Sequence, residues 1–280
     1  MDLVYIVKES EENNDLRYSL RSVAKFVKFD KIWIVGYKPS WVTNVEYIPV
    51  KQIGNKWTNS VRNILAACNC DNISEDFVLM NDDFFAIKPI ENLEESINVS
   101  LGLLKNSIKK HGHLNSRWGH AFMYLFELLK SMRIPEPYYD YESHIPLKIN
   151  RKKYLEVMEY QKVKEFMKTP KVLHKRSLYK NCSENTNPRI LSEDVKIEND
   201  RDVIKKMEIC GWLSVYDNQV NNSRYKRLNY LLQSLFPEKC QFETDNFNPV
   251  KVDIDPNKIE EKPRRYVILN PNGTRRIVYK

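Results

Sequence analysis

Short apolar runs alternating with segments of helical period fill the first ninety residues, and that alternation leaves few folds open. Leu3-Val4-Tyr5-Ile6-Val7 is continuous and branched, as a strand buried on both faces must be. Asn13, Asn14 and Asp15 then offer helix caps, and Leu16, Leu20, Val23, Ala24 and Val27 recur at helical spacing. Ile32-Trp33-Ile34-Val35, closed by Gly36, reads as a second strand, and Val45, Tyr47, Ile48 and Val50 mark a third. Thr58 or Asn59 opens a helix with Val61, Ile64, Leu65 and Cys68 on one face, and Phe77-Val78-Leu79-Met80 is a further buried strand. Strand, helix, strand, strand, helix, strand predicts an α/β fold with a mostly parallel sheet flanked by helices. Ligands of such sheets gather at the carboxyl ends of the strands, and there the last strand runs straight into Asn81-Asp82-Asp83.

The rest reads as a helical C-terminal half with a terminal β-hairpin. Helices are expected over 97–110, 117–132, 151–160, 172–179, 202–208 and 225–235, with a rigid proline-bracketed loop over 135–146. Residues 243–261 are acidic and proline-punctuated, like a connector. Arg265 to Tyr279 carries a hairpin signal with Asn272-Gly273 at its turn. The expected organisation is a core over 1–146, a helical region over 147–243 completing the same domain, and a connector with a basic hairpin over 244–280.

Composition narrows the function. Seven glycines allow neither a GxGxxG nor a GxxxxGK[ST] loop, so any diphosphate must be neutralised by a cation or by side chains. No apolar run nears the roughly 18 residues of a membrane span, and the first residues lack a leader pattern, so a soluble cytoplasmic protein is expected. Five scattered cysteines suit a reducing compartment. The net charge of +8 is concentrated. Residues 148–180 hold eleven Lys and Arg against three Glu, and residues 262–280 hold six against none. Such zones suit a polyanion, or are simply solvated lysine-rich surface.

Adjacent carboxylates at a buried strand end repel unless something positive lies between them. Asp82 and Asp83 therefore read either as ligands of a hard divalent cation or as turn caps. In the proline-bracketed loop, Glu142 and His144 offer a base and a metal ligand, or loop hydrogen bonds; Asp140 is a second base candidate. Arg17 and Arg21 on the first helix read as a diphosphate clamp or as ion pairs. Lys56, Asn59 and Asn63 line the same rim or form the polar face of their helix.

Asp15-Leu16-Arg17-Tyr18-Ser19-Leu20-Arg21-Ser22, then Lys31-Ile32-Trp33-Ile34-Val35-Gly36 and Pro39-Ser40-Trp41, resemble the opening block of the Stealth family of capsule sugar-phosphate transferases. Phe77 to Phe85 resembles that family's paired-Asp block, His144-Ile145-Pro146 its third, and Trp212-Leu213-Ser214 with Leu235 to Glu243 its last. Where that family has a Trp-Val-Asp-Gly-type loop, this chain has Val7-Lys8-Glu9-Ser10-Glu11. It is closer there to a group of bacteriophage glycosyltransferases with the Asn-Asp-Asp-Phe-Phe and Glu-x-His-x-Pro pattern.

The resemblance implies a GT-A-like fold, with Asn81 and Asp82 toward the nucleotide and Asp83 and His144 toward Mn²⁺ or Mg²⁺. It implies transfer of a sugar from a UDP-sugar donor to a hydroxyl acceptor, first among them a 5-hydroxymethylpyrimidine in double-stranded phage DNA. The alternatives are hexose-1-phosphate transfer to a glycan, or a catalytically idle nucleic-acid-binding protein. Tyr138, Tyr139 and Tyr141 are the aromatics expected to receive a flipped base, and Arg264, Arg265, Arg275 and Arg276 of the hairpin either sit on phosphates or only guard a sheet edge that the hairpin covers.

Overall fold

The computed structural model describes residues 1–113, 116–183, 188–217, 219–252, 265–269 and 275–279, the last two stretches by backbone alone. The first part runs β1 (Asp2–Val7), α1 (Asn14–Phe26), β2 (Ile32–Gly36), β3 (Glu46–Pro49), α2 (Lys56–Cys68) and β4 (Asp76–Asn81), the order expected from the apolar runs. Asn13 caps α1 on the Leu16 N–H, and Asn55 caps α2 on the N–H groups of Trp57 and Thr58, which starts that helix earlier than its apolar face suggests. β5 (Phe84–Ala86), α3 (Leu93–Ile97), β6 (Val99–Ser100), α4 (Leu104–His111), α5 (Arg117–Ser131) and β7 (Leu147–Asn150) follow. Then come α6 (Arg151–Glu159), α7 (Gln161–Met167), α8 (Lys175–Ser183), β8 (Arg189–Ile190), α9 (Val203–Met207), β9 (Trp212–Ser214) and α10 (Lys226–Leu235). The hairpin strands are β10 (Arg265–Leu269) and β11 (Arg275–Tyr279).

The central sheet has the order β3-β2-β1-β4-β7, parallel except for the edge strand β7. Both faces are covered, which is why the strands read as unbroken apolar runs. Val4, Trp33 and Leu79 pack with Ile64, Phe122, Leu125 and Tyr154 on one face. Leu3, Tyr5, Ile34 and Met80 pack with Leu16, Leu20, Trp212 and Phe242 on the other. Register aligns Val7 with Gly36 and Ile6 with Asn81, so three strand ends share one carboxyl edge.

Three expectations change. The helix expected over 97–110 is broken into α3, β6 and α4, because Gly102 takes φ +99, a left-handed backbone no helix interior holds. β7 was not anticipated, since two buried positions among four residues are too short a pattern to stand out. The helix expected over 172–179 runs over Lys175–Ser183 instead. β10 and β11 pair antiparallel with Leu269 opposite Arg275; their turn and Arg264 lie outside the described residues, and Arg265, Arg275 and Arg276 are placed only as strand positions.

Candidate active site

Strand order reverses beside β1: the chain adds β2 and β3 on one side and β4 and β7 on the other. Crevices open outside the carboxyl ends at such a reversal. A cleft of about 500 Å³ lies there, floored by Lys8, which follows β1, and by Asn81, Asp82 and Asp83 at the end of β4. α2 lines it with Lys56, Asn59 and Asn63, and the loop before β7 lines it with Glu142 and His144. The fold thus gathers eight of the sequence candidates from three separate segments.

Asp83 is left with an unpaired atom. Its Oδ2 accepts from Ser214 Oγ at 3.2 Å and Lys196 Nζ at 3.4 Å, while its Oδ1 is buried with no hydrogen-bond partner. Asp82 Oδ2 accepts from Asn13 Nδ2 at 3.0 Å; burial first, then the charge of Asp83, push its carboxyl up to about 6. Asp15, in the first turn of α1, is pushed up to about 8 by burial and then by Asp82, Asp83 and Asp217. Among the described residues, no group of three or more His, Cys, Asp and Glu is set to hold a metal. The open Oδ1 and the strained carboxylate pair nonetheless fit a Mg²⁺- or Mn²⁺-type site, which takes one or two carboxylates and completes its shell with substrate phosphates.

The opposite wall is cationic. Glu142 Oε1 accepts from the Ser177 N–H and Oγ, both at 3.0 Å, and its Oε2 lies 3.9 Å from His174 Nδ1. His174 Nε2 faces the Trp118 carbonyl at 3.1 Å; that oxygen only accepts, so Nε2 carries the proton. Burial acts to raise Glu142, but His174, Arg176 and Lys175 outweigh it and hold the carboxyl below its ordinary range. Arg176 donates to the carbonyls of Tyr141, at 3.2 Å, and Ile145, and so clamps the loop carrying Glu142 and His144. His144 sits at φ +46, and its Nδ1 is 2.6 Å from Asp194 Oδ2. That contact fixes the ring and leaves Nε2 as its remaining nitrogen.

Several candidates are not brought to the cleft. Arg17 and Arg21, one turn apart on α1, are buried against the C-terminal segment. Arg17 donates to Glu243 at 2.7 Å and to Asp245 at 2.7 and 2.9 Å, with its guanidinium 3.9 Å from the Trp41 ring centre. Arg21 holds both oxygens of Glu243, at 2.6 and 2.8 Å. Both arginines are thus ion-paired, and in the interior rather than on the surface. Asp140 is 1 % exposed and accepts from Ser107 Oγ at 2.6 Å and the Glu142 N–H at 2.9 Å; burial pushes it up to about 6, but it does not line the cleft. Tyr138 and Tyr141 are core residues and offer no open face to a flipped base.

Sequence reasoning missed Lys8, Lys175, Arg176, Asp194 and Lys196. Lys8 carried a signal, as the first residue past β1. Lys175 and Arg176 were hidden in a run of surface bases. Asp194 and Lys196 arrive from a loop between β8 and α9 that no local pattern ties to the cleft.

The mostly parallel sheet between helical layers, with an acidic strand end at its carboxyl edge, matches the GT-A-like fold. Among solved structures, the chain is similar to the galactosyltransferase LgtC in complex with donor and acceptor sugar analogs. Identity is 8% and the TM-score 0.51, over 84% of this chain and 96% of that one. It is also similar to an active-site mutant of LgtC (10% identity, TM-score 0.43, 65% and 69% coverage). The glycosyltransferase GlyE of Streptococcus pneumoniae TIGR4 follows (9% identity, TM-score 0.40, 85% and 60% coverage). No family model and no curated protein matches the sequence. No described helix is long and apolar enough to cross a membrane.

Proposed function

We propose that the chain transfers a sugar from a UDP-type nucleotide sugar to a hydroxyl acceptor in this cleft. The observation that carries the reading is the buried, unpaired Asp83 Oδ1 at the strand reversal, in a cleft also lined by Lys8, Lys56, Lys175, Arg176 and Lys196. Asp83, with Asp82, would hold Mn²⁺ or Mg²⁺. When bound, the ion draws off charge from the leaving diphosphate. Lys8 and Lys196 stand beside the same position and hold the diphosphate oxygens, and α2 takes the nucleoside. On the opposite wall Glu142 has access but is held too acidic to be a good base, whereas Asp140 has the raised carboxyl without the access. His144, oriented by Asp194, takes the acceptor proton on Nε2. The hydroxyl O–H bond breaks, its oxygen bonds the anomeric carbon, and the bond to the diphosphate breaks with its electron pair leaving on UDP.

For the acceptor we propose a hydroxyl on a polyanion, with 5-hydroxymethylpyrimidine in duplex DNA first. The exposed Lys152, Lys153, Lys162, Lys164 and Lys168 support a polyanion, as does the basic C-terminal segment. A second reading, transfer of the sugar with its phosphate, is favoured by Lys175 and Arg176 on the acceptor side, where a transferred phosphate would need them. Released nucleotide separates the two: UDP marks glycosyl transfer and UMP marks phosphosugar transfer. Asp83→Asn keeps the Ser214 contact and is expected to abolish metal-dependent UDP binding with the melting temperature little changed. Full UDP binding by this variant, or by the wild type in chelator, refutes the metal assignment.

A further inference from the structure

α2 turns Asn59, Ser60 and Asn63 toward the cleft, and one of them is left incomplete. Asn59 is spent: its Oδ1 accepts from the N–H groups of Ile53 and Gly54, and its Nδ2 donates to the Gly54 carbonyl. Asn63 is 3 % exposed, and its Nδ2 donates to the Val35 carbonyl at 3.2 Å. Because that carbonyl only accepts, the amide cannot be turned over, and the free end is Oδ1. Asn63 Oδ1 is buried and has no hydrogen-bond partner.

The backbone is shaped to admit this amide. Gly36, at φ +115, closes β2, and a Cβ there would lie 2.7 Å from Asn63 Nδ2 and 2.2 Å from the Val7 carbonyl oxygen. A Cβ at position 36 would force the Val7 backbone or the Asn63 amide to shift. A buried acceptor held in a fixed orientation and left unpaired at a cleft wall marks a place where a ligand supplies the donor.

Resting on the nucleotide-sugar reading above, we propose that Asn63 determines donor specificity: its Oδ1 accepts a hydrogen bond from the ring imide N–H of a uracil base. The base lies between α2 and the carboxyl ends of β1 and β2. An imide N–H sits between two carbonyls, so its reader needs an acceptor with a donor beside it. Ser60, three residues earlier on the same helix face, supplies a hydroxyl, and Trp57 supplies an aromatic wall. A cytosine ring offers an amine instead and is the competing pyrimidine.

Calorimetric binding of UDP, 3-methyl-UDP and CDP to the full chain with Mn²⁺ tests this. Methylation replaces the imide proton with a methyl group and leaves both ring carbonyls in place. The wild type is expected to bind UDP at least about tenfold more tightly than either analogue. In Asn63→Ser the gap between UDP and 3-methyl-UDP is expected to fall to within about twofold. Equal wild-type affinity for UDP and 3-methyl-UDP overturns the Asn63 assignment while leaving the nucleotide site standing, and needs no variant to fold. CDP bound more tightly than UDP overturns the uracil assignment. Failure of the wild type to bind any of the three overturns the donor reading and this inference together.

Discussion

Glu243→Ala leaves two guanidinium groups without the carboxylate they share. The Glu243 side chain is fully enclosed, and those of Arg17 and Arg21 are 3% and 6% exposed. Removing one partner of such a buried pair costs about 3–5 kcal/mol, mostly because the remaining charge stays desolvated. The loss falls unevenly. Arg17 keeps Asp245 and the Trp41 ring, whereas Arg21 keeps the Phe236 carbonyl at 3.2 Å and the more distant rings of Tyr18 and Phe247. In a chain of this size each kcal/mol moves the melting temperature by roughly 2–4 °C, so a drop of about 6–20 °C is expected by calorimetry. Glu243→Gln, which keeps an acceptor, should lose less. UDP affinity measured well below the transition should stay within about twofold. A melting temperature lowered by under about 3 °C, together with tighter UDP binding, would refute the structural assignment and return both arginines to the phosphate.

Three further outcomes are expected. Asp15 has a folded-state pKa of about 8 against an ordinary 3.8, so the folded chain holds that proton more tightly and this site's contribution to stability falls as pH rises across that window. Asp15→Asn should therefore gain on the wild type in urea melts between about pH 5 and 9, and a constant difference contradicts the shift. Asp194→Asn frees the His144 ring and should lower kcat on the order of ten- to a hundredfold with UDP affinity intact; lost UDP affinity would instead put His144 at the nucleotide. Deleting residues 262–280 should flatten the fall of DNA affinity with salt if the hairpin arginines hold phosphates, and an unchanged slope assigns the hairpin a structural role.

The sheet was legible because strands buried on both faces must be continuously apolar, and the acidic strand end was legible because its position follows from strand direction. The same logic reached Lys56 and Asn59 through the face of α2, and Glu142 and His144 through a proline-bracketed loop. It stopped at the arginines of α1. Nothing local distinguishes a clamp open to a ligand from one closed by Glu243, which is more than two hundred residues away in sequence. The partners that decide each role, Glu243 for Arg17, Asp194 for His144 and Lys196 for Asp83, all arrive by long-range packing. Local pattern names the side chains of a site, and tertiary contact decides which of their atoms are free.

The free atoms bear on how the proposed transfer would gain rate. Lys8, Lys56, Lys175, Arg176 and Lys196 line the cleft against Glu9, Asp82, Asp83, Glu142 and Asp217, five cations to five carboxylates. Lys8 is tied to Asp217 at 2.8 Å and Lys196 to Asp83 at 3.4 Å, so the side chains of the cleft are together close to neutral and several of their charges are internally paired. A nucleotide sugar entering with a divalent cation adds little net charge. The nucleoside diphosphate that leaves carries one more negative charge than the sugar nucleotide, because its terminal phosphate has lost an ester. Cations already placed around the leaving oxygens therefore interact more strongly with the transition state than with the bound donor, the condition for binding energy to appear in kcat rather than in KM. On the proposed reading, the raised carboxyls of Asp82 and Asp15 beside Asp83 belong to the same arrangement: carboxylates held together would be the unfavourable half of a site that becomes favourable when a cation and a diphosphate arrive together.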